Sequence, residues 1–225
     1  GKPMRMTPTF AAGEAFADYV DWRAKNPSDD IMTMLIEAEF EDEHGVTRRL
    51  TRSEILTYVN VISGAGNETT IHLIGWAGSV LAENPDQREE LRRNPTLIPN
   101  AIEELLRVQP PAPHAARYVT RDVDLYGQTV PAGSVMVFVI GAANRDDRRF
   151  TDPDTYDIHR QVGQHLTFGF GIHFCLGAAL ARLEGRVVLE EVLARFPEWQ
   201  VDRERARLSE SSTVSGWETL PVSIG

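Results

Sequence analysis

One segment limits the folds open to this 225-residue chain more than any other. Thr51-Arg52-Ser53-Glu54 has the pattern of a capping box, with Thr51 at the N-cap and Glu54 at the third helical position. The helix it opens meets no stop before Glu83-Asn84-Pro85. It therefore covers about residues 51–82, roughly eight turns at 3.6 residues each. Ile55, Leu56, Val59, Ile62, Leu73, Ile74, Trp76, Val80 and Leu81 spread over more than one of its faces. A helix that is apolar around much of its circumference belongs inside a protein, with other elements covering it. Asn60, Asn67, Glu68 and His72 break the apolar surface and argue against a lipid-spanning helix.

The middle of this helix is unusual. It reads Ala65-Gly66-Asn67-Glu68-Thr69-Thr70. A glycine in a helix interior costs about 1 kcal/mol relative to alanine. A buried carboxylate is expensive without a partner. Two adjacent β-branched hydroxyl residues can bond back to carbonyls and open the helix locally. The stretch is either a kink with a satisfied carboxylate or a place with room for a diatomic ligand and a chain of waters.

The second constraint is Phe168 to Gly177, F-G-F-G-I-H-F-C-L-G, which holds Cys175, the only cysteine of the chain. Gly169 and Gly171 lack a Cβ, so the backbone can turn with positive φ or lie close to a flat ligand. An apolar run of helical period follows, over residues 176–196, and a thiolate ahead of a helix is favoured by the helix dipole. By itself a cysteine is most often a small buried hydrophobe. In a glycine loop with Phe168 and a polar donor, His173, it suits the axial ligand of a heme iron.

Net charge is −10, which disfavours nucleic-acid binding. Apolar residues make up 42% of the chain, enough for a core of one ordinary domain. One cysteine excludes an internal disulfide and fits a reducing compartment, and no apolar run has the length of a membrane span. The expectation is a soluble, cytoplasmic protein that engages neither membrane nor nucleic acid.

The rest of the chain reads as follows. Residues 11–25 form a helix with Phe16, Tyr19, Val20 and Trp22 inward, and residues 31–39 a short one. The acidic stretch 37–43 is a solvated turn. A polar helix covers 86–94, and another, about 96–108, carries Glu104 and Arg107 three apart on one face. The period then shifts to β over about 116–140. Residues 117–119 and 123–126 read as strands around a turn, and 134–140 as a strand buried on both faces. An irregular meander over 148–163 leads to the cysteine loop, and short strands with turns follow residue 199.

Taken together, these motifs resemble the cytochrome P450 family in its bacterial, soluble type. The cysteine loop is similar to the family's heme-binding signature. Ala65-Gly66-Asn67-Glu68-Thr69 is similar to its oxygen-activation motif, and Glu104-x-x-Arg107 with Arg160 to its structural brace. The resemblance implies a mainly α fold with small β-sheets (α+β), here a single partial heme-thiolate domain apparently lacking the family's N-terminal half. It implies heme b as cofactor and Cys175 as iron ligand. Phe168, Gly169, Gly171 and Gly177 would shape the cofactor loop, and His173 and Arg117 would contact the heme propionates. Ala65 and Gly66 would make space, and Glu68 and Thr69 would relay protons to the bound oxygen. Ala112, His114 and Val214 would line the substrate pocket. The implied activity is a monooxygenase acting on a hydrophobic small molecule with O2. Electrons would come from a ferredoxin or flavin-containing reductase, with Arg182 and Arg186 offering cations to an acidic partner. Two other readings stay open on the residues alone. One is a heme-binding or structural remnant without turnover. The other is a Cys175 nucleophile with His173 as base.

Overall fold

A computed structural model describes residues 16–225. The chain divides after Asn67 into two compact units. Residues 11–15 of the first expected helix lie outside the described part.

In the first unit, α1 (Ala17–Lys25) and α2 (Ile31–Glu37) precede a hairpin, β1 (Glu39–Glu41) and β2 (Thr47–Arg49). Of the acidic stretch expected as a turn, Glu39–Glu41 is instead a strand, while Asp42 and Glu43 do enter the turn. Asp42 explains why: its carboxylate accepts from the backbone N–H groups of His44 and Val46, and Gly45 takes the positive φ the turn needs. Across the strands Glu39 pairs with Arg49, so its charge does not oppose pairing. The long helix, α3 (Arg52–Glu83), starts at the capping box. Glu54 N–H donates to Thr51 Oγ1, and Glu54 Oε2 accepts from Thr51 N–H. Arg48 joins the same carboxylate and, with Thr51, holds Glu54 at about 2. Val20, Ile55 and Leu56 form the unit's small core.

The second unit begins within α3 and contains α4 (Pro85–Arg93), a 3-10 turn (Pro95–Leu97) and α5 (Ile98–Val108). Next come β3 (Ala115–Tyr118), β4 (Val123–Leu125), β5 (Gln128–Val130), β6 (Val135–Phe138) and the single turn α6 (Ile140–Ala143). After the meander comes α7 (Ala178–Arg195), then β7 (Trp199–Val201), β8 (Arg207–Leu208), β9 (Trp217–Thr219) and β10 (Val222–Ile224). Among the described residues every sheet has two antiparallel strands. The two strands expected around one turn belong to different sheets. β3 pairs with β6, and β4 closes on β5 through Tyr126 and Gly127, both at positive φ. That is the two-residue turn whose twist suits a hairpin.

The core joins Leu73, Ala77, Val80 and Leu81 of α3 to α5, α7 and the meander's Ile158. Gly185 of α7 allows the close approach: a Cβ there would lie 3.1 Å from Ile102 and 3.3 Å from Leu73. Two sequence expectations fail here. α3 is helical at every residue, so the paired threonines do not open it. In its middle, Tyr58, Val61, Ile62, Ile71 and Ile74 are exposed. Val135, Val137 and Phe138 of β6 are exposed too, so that strand is not buried on both faces.

Candidate heme-thiolate site

The cysteine loop is a compact coil held by its own backbone. Gly169 N–H donates to Leu166 C=O, Phe174 N–H to Gly171 C=O, and Cys175 N–H to Phe168 C=O at 2.8 Å. Gly169 and Gly171 both have positive φ, which disfavours a side chain at either place. A 3-10 turn (Gly171–His173) lifts the loop, and Cys175 C=O accepts from Ala178 N–H at the start of α7. The helix starts two residues later than its apolar pattern suggests. Gly177 is its N-cap residue, and a Cβ there would make only ordinary contact.

Cys175 is exposed, contrary to the habit of an inert cysteine. Phe170, Ile172, Phe174 and Leu176, all exposed, surround it in sequence. Exposed apolar side chains beside an exposed thiol fit one face of a large flat apolar group with a metal at its centre. Among the described residues no cluster of His, Cys, Asp and Glu offers an alternative metal site. His173 and Arg117 are exposed as well, and the Arg117 side chain donates to the Ala116 carbonyl. No hydrogen bond joins His173 to Cys175 among the described residues.

Phe168 is buried and clamped from behind. The Arg182 guanidinium lies 4.4 Å from its ring centroid and makes two bonds to Glu103, of 2.6 and 2.9 Å. His165 Nε2 meets the same carboxylate at 3.1 Å, while its Nδ1 accepts from Thr167 N–H, so Nε2 carries the proton. Burial raises the Glu103 carboxyl, but His165 and Arg182 outweigh it and hold the group at about 2. A cleft of ≈ 460 Å³ opens between this cluster and the aromatic residues of the loop. Arg182 is therefore not a free surface cation, and Arg186 has Glu190 at 3.6 Å. Sequence reasoning missed Glu103 and His165. The available signal was the acidic pair Glu103-Glu104, whose two carboxylates face different partners.

The second carboxylate, Glu104, is fully buried, as is Arg107. Arg107 makes two bonds to Glu104, of 2.7 and 2.8 Å, and also donates to the carbonyls of Asn144, Pro153 and Thr155. Arg160 Nε reaches Glu104 at 2.9 Å and ties down Thr151, Asp152 and Thr155 through their carbonyls. Asp157 N–H completes the carboxylate's partners.

Elsewhere, Glu68 is not the buried carboxylate expected: its side chain is 59% exposed. Thr69 is half-buried. Ala65 and Gly66 are exposed, and a Cβ on Gly66 would meet open space. Ala112, His114 and Val214 are half-buried. A bond from Ser215 N–H to Pro111 C=O, 2.7 Å long, brings the segments holding Ala112 and Val214 side by side.

These features recur together in a known family. The family model of cytochrome P450 matches residues 14–223. The chain belongs to the cytochrome P450 family. Its cofactor is accordingly heme b, which the exposed thiol and its apolar loop suit. The chain is 36% identical to cytochrome P450 CYP107DY1 of Priestia megaterium, over 93% of this chain and 52% of the relative. It is 37% identical to a steroid C26-monooxygenase of Mycobacterium tuberculosis, over 93% of this chain and 57% of that protein. The crystal structure of CYP109E1 from Bacillus megaterium in complex with testosterone superposes with a TM-score of 0.84 at 35% identity, covering 94% of this chain and 56% of the other. The P450 chain thus spans about half the length of the relatives it matches. No helix among the described residues is long and apolar enough to cross a membrane.

Proposed function

We propose that this chain is the heme-ligating part of a monooxygenase acting on a hydrophobic small molecule. Thiolate-held heme supplies O–O bond cleavage: with O2, two electrons and two protons, one oxygen atom enters the substrate and the other leaves as water. Cys175 is the thiolate, held on a loop whose shape the Phe168 carbonyl fixes. Phe168, Gly169, Gly171 and Gly177 border the cofactor, and His173 and Arg117 pair with its propionates. Ala65 and Gly66 leave space beside it. Glu68 takes a proton from solvent, as its exposure allows, and Thr69 passes it inward. Ala112, His114 and Val214 line the substrate's place. Glu104, Arg107 and Arg160 hold the meander beneath the cofactor. A ferredoxin or flavin-containing reductase supplies the electrons in the cytoplasm. The names of two relatives, a steroid monooxygenase and a testosterone-bound enzyme, make testosterone the first probe substrate.

The observation that carries this reading is the exposed Cys175 on its positive-φ loop. The test is the ferrous–CO absorption spectrum of the heme-loaded protein. The thiolate-type Soret band is expected in the wild type and absent in Cys175→Ala; an unchanged band in the variant ends the assignment. A second reading, heme binding without turnover by the 225 residues alone, is favoured by the exposed apolar middle of α3. A Soret band without testosterone oxidation supports the second reading, and a Soret band with coupled oxidation supports the first.

A further inference from the structure

His72 lies one turn beyond Glu68 on α3 and is buried. Neither of its ring nitrogens has a hydrogen-bond partner. Buried polar groups are nearly always paired, and an orphan costs about 1–3 kcal/mol, so an unpartnered imidazole needs a reason. The ring is not loosely placed. Gly216 backs directly onto it: a Cβ there would fall 2.1 Å from Nδ1 and 2.2 Å from Cγ, which no side chain can occupy. The segment carrying Gly216 is itself fixed along α3. Trp76 Nε1 donates to Ser215 C=O at 3.0 Å, and the Trp217 side chain packs at Gly75. The imidazole therefore has one direction left for a partner. Its Nε2 is 3.9 Å from Glu68 Oε1, just outside hydrogen-bond range. The Glu68 side chain is exposed, whereas that of His72 is not.

We infer that His72 is a positioning residue for Glu68. The Glu68 carboxylate alternates between solvent, where it takes up a proton, and the Nε2–H of His72, which holds it against the helix beside Thr69. Closing the gap needs a side-chain rotation of about 1 Å to reach a bond of about 2.9 Å. It pairs an orphan nitrogen in doing so. Gly216 is the other half of the device, because any side chain there would push the ring off this line. The inference rests on the reading that Glu68 and Thr69 supply protons to the reaction.

The experiment uses the heme-loaded protein, with testosterone as probe and a ferredoxin system as electron source. Peroxide released per O2 consumed is the readout, with Thr69→Ala, Glu68→Gln, His72→Leu, His72→Asn and the double variant His72→Leu/Glu68→Gln compared. His72→Leu is expected to lose about tenfold in coupling, less than the roughly hundredfold that a 1 Å misplacement of a reacting group can cost, because Glu68 still reaches its place part of the time. His72→Asn, which keeps an N–H donor, recovers part of it. The double variant should be no worse than Glu68→Gln alone, whereas a merely structural role makes the two effects add. Additive losses, or wild-type coupling in His72→Leu, overturn the inference. Wild-type coupling in both Thr69→Ala and Glu68→Gln instead overturns the proton-supply reading, and this inference falls with it. If His72→Leu does not fold, the 15N shift of His72 Nε2 decides: it should move in Glu68→Gln, and an unmoved shift refutes the contact.

Discussion

Glu103 shows how one carboxylate can hold a loop it never touches. It fixes Arg182, Arg182 covers Phe168, and the Phe168 carbonyl receives the Cys175 N–H. The folded carboxyl titrates at about 2, well below its ordinary 4.5. A group depressed in the folded state contributes stability that is complete above its unfolded value and lost as pH falls toward the folded one. Acid should therefore loosen this region between about pH 4.5 and 2, and Glu103→Gln should flatten that limb of a pH-unfolding curve followed by tryptophan fluorescence. Equal slopes in the two proteins would exclude the role. Gly169 gives a second test at this scale. With φ at +72°, Gly169→Ala forces a strained conformation costing about 1–2 kcal/mol, and a Cβ would also press on His173 C=O at 3.4 Å. Weaker heme retention, measured by transfer of heme to apomyoglobin, and melting lowered by only a few degrees, about 2–4 °C per kcal/mol, are the expected results.

Among the elements, α5 is the most constrained. Its Glu104 and Arg107 are a buried pair whose remaining valences go to Arg160, Asp157, the Asn144 carbonyl after α6 and two meander carbonyls, those of Pro153 and Thr155. Removing one partner leaves the other charge uncompensated, which costs about 3–5 kcal/mol, whereas an exposed pair is worth about 0–1. Glu104→Ala should give insoluble or markedly less stable protein by thermal melting, and Arg160→Ala a smaller loss, because Arg107 still neutralises the carboxylate. Equal melting temperatures in Glu104→Ala and wild type would show the three are uncoupled. Boundaries of elements were legible in the sequence wherever the signal is local. The capping box and Asn84-Pro85 place α3 within a residue of its ends. Strand partners were not legible, because β3 chooses β6 over the nearer β4 through contacts no window contains. The Glu103–His165–Arg182 cluster was hidden for the same reason, its members being 62 and 79 residues from Glu103.

At the scale of the whole chain, apolarity and burial part company. The periodicity of α3 reports that its middle is apolar, and nothing in a periodicity says what covers it. In the second unit, Ile71 and Ile74 on that helix, with Phe170, Ile172 and Leu176 on the cysteine loop, are exposed. Monomeric proteins seldom leave contiguous apolar patches beyond a few hundred Å². The 225 residues alone should therefore self-associate, with light scattering giving a mass that rises with concentration. A monomer at every concentration would contradict this. The brace around Glu104 adds a constraint in time. Arg107 leaves the ribosome long before the carbonyls of Asn144, Pro153 and Thr155 that satisfy it, and before Arg160. Chains are made and often fold from the N-terminus onward. Until residue 160 emerges, α5 holds two charges that cannot be buried together with their partners, so the nascent second unit must wait, open to chaperones, for its own meander.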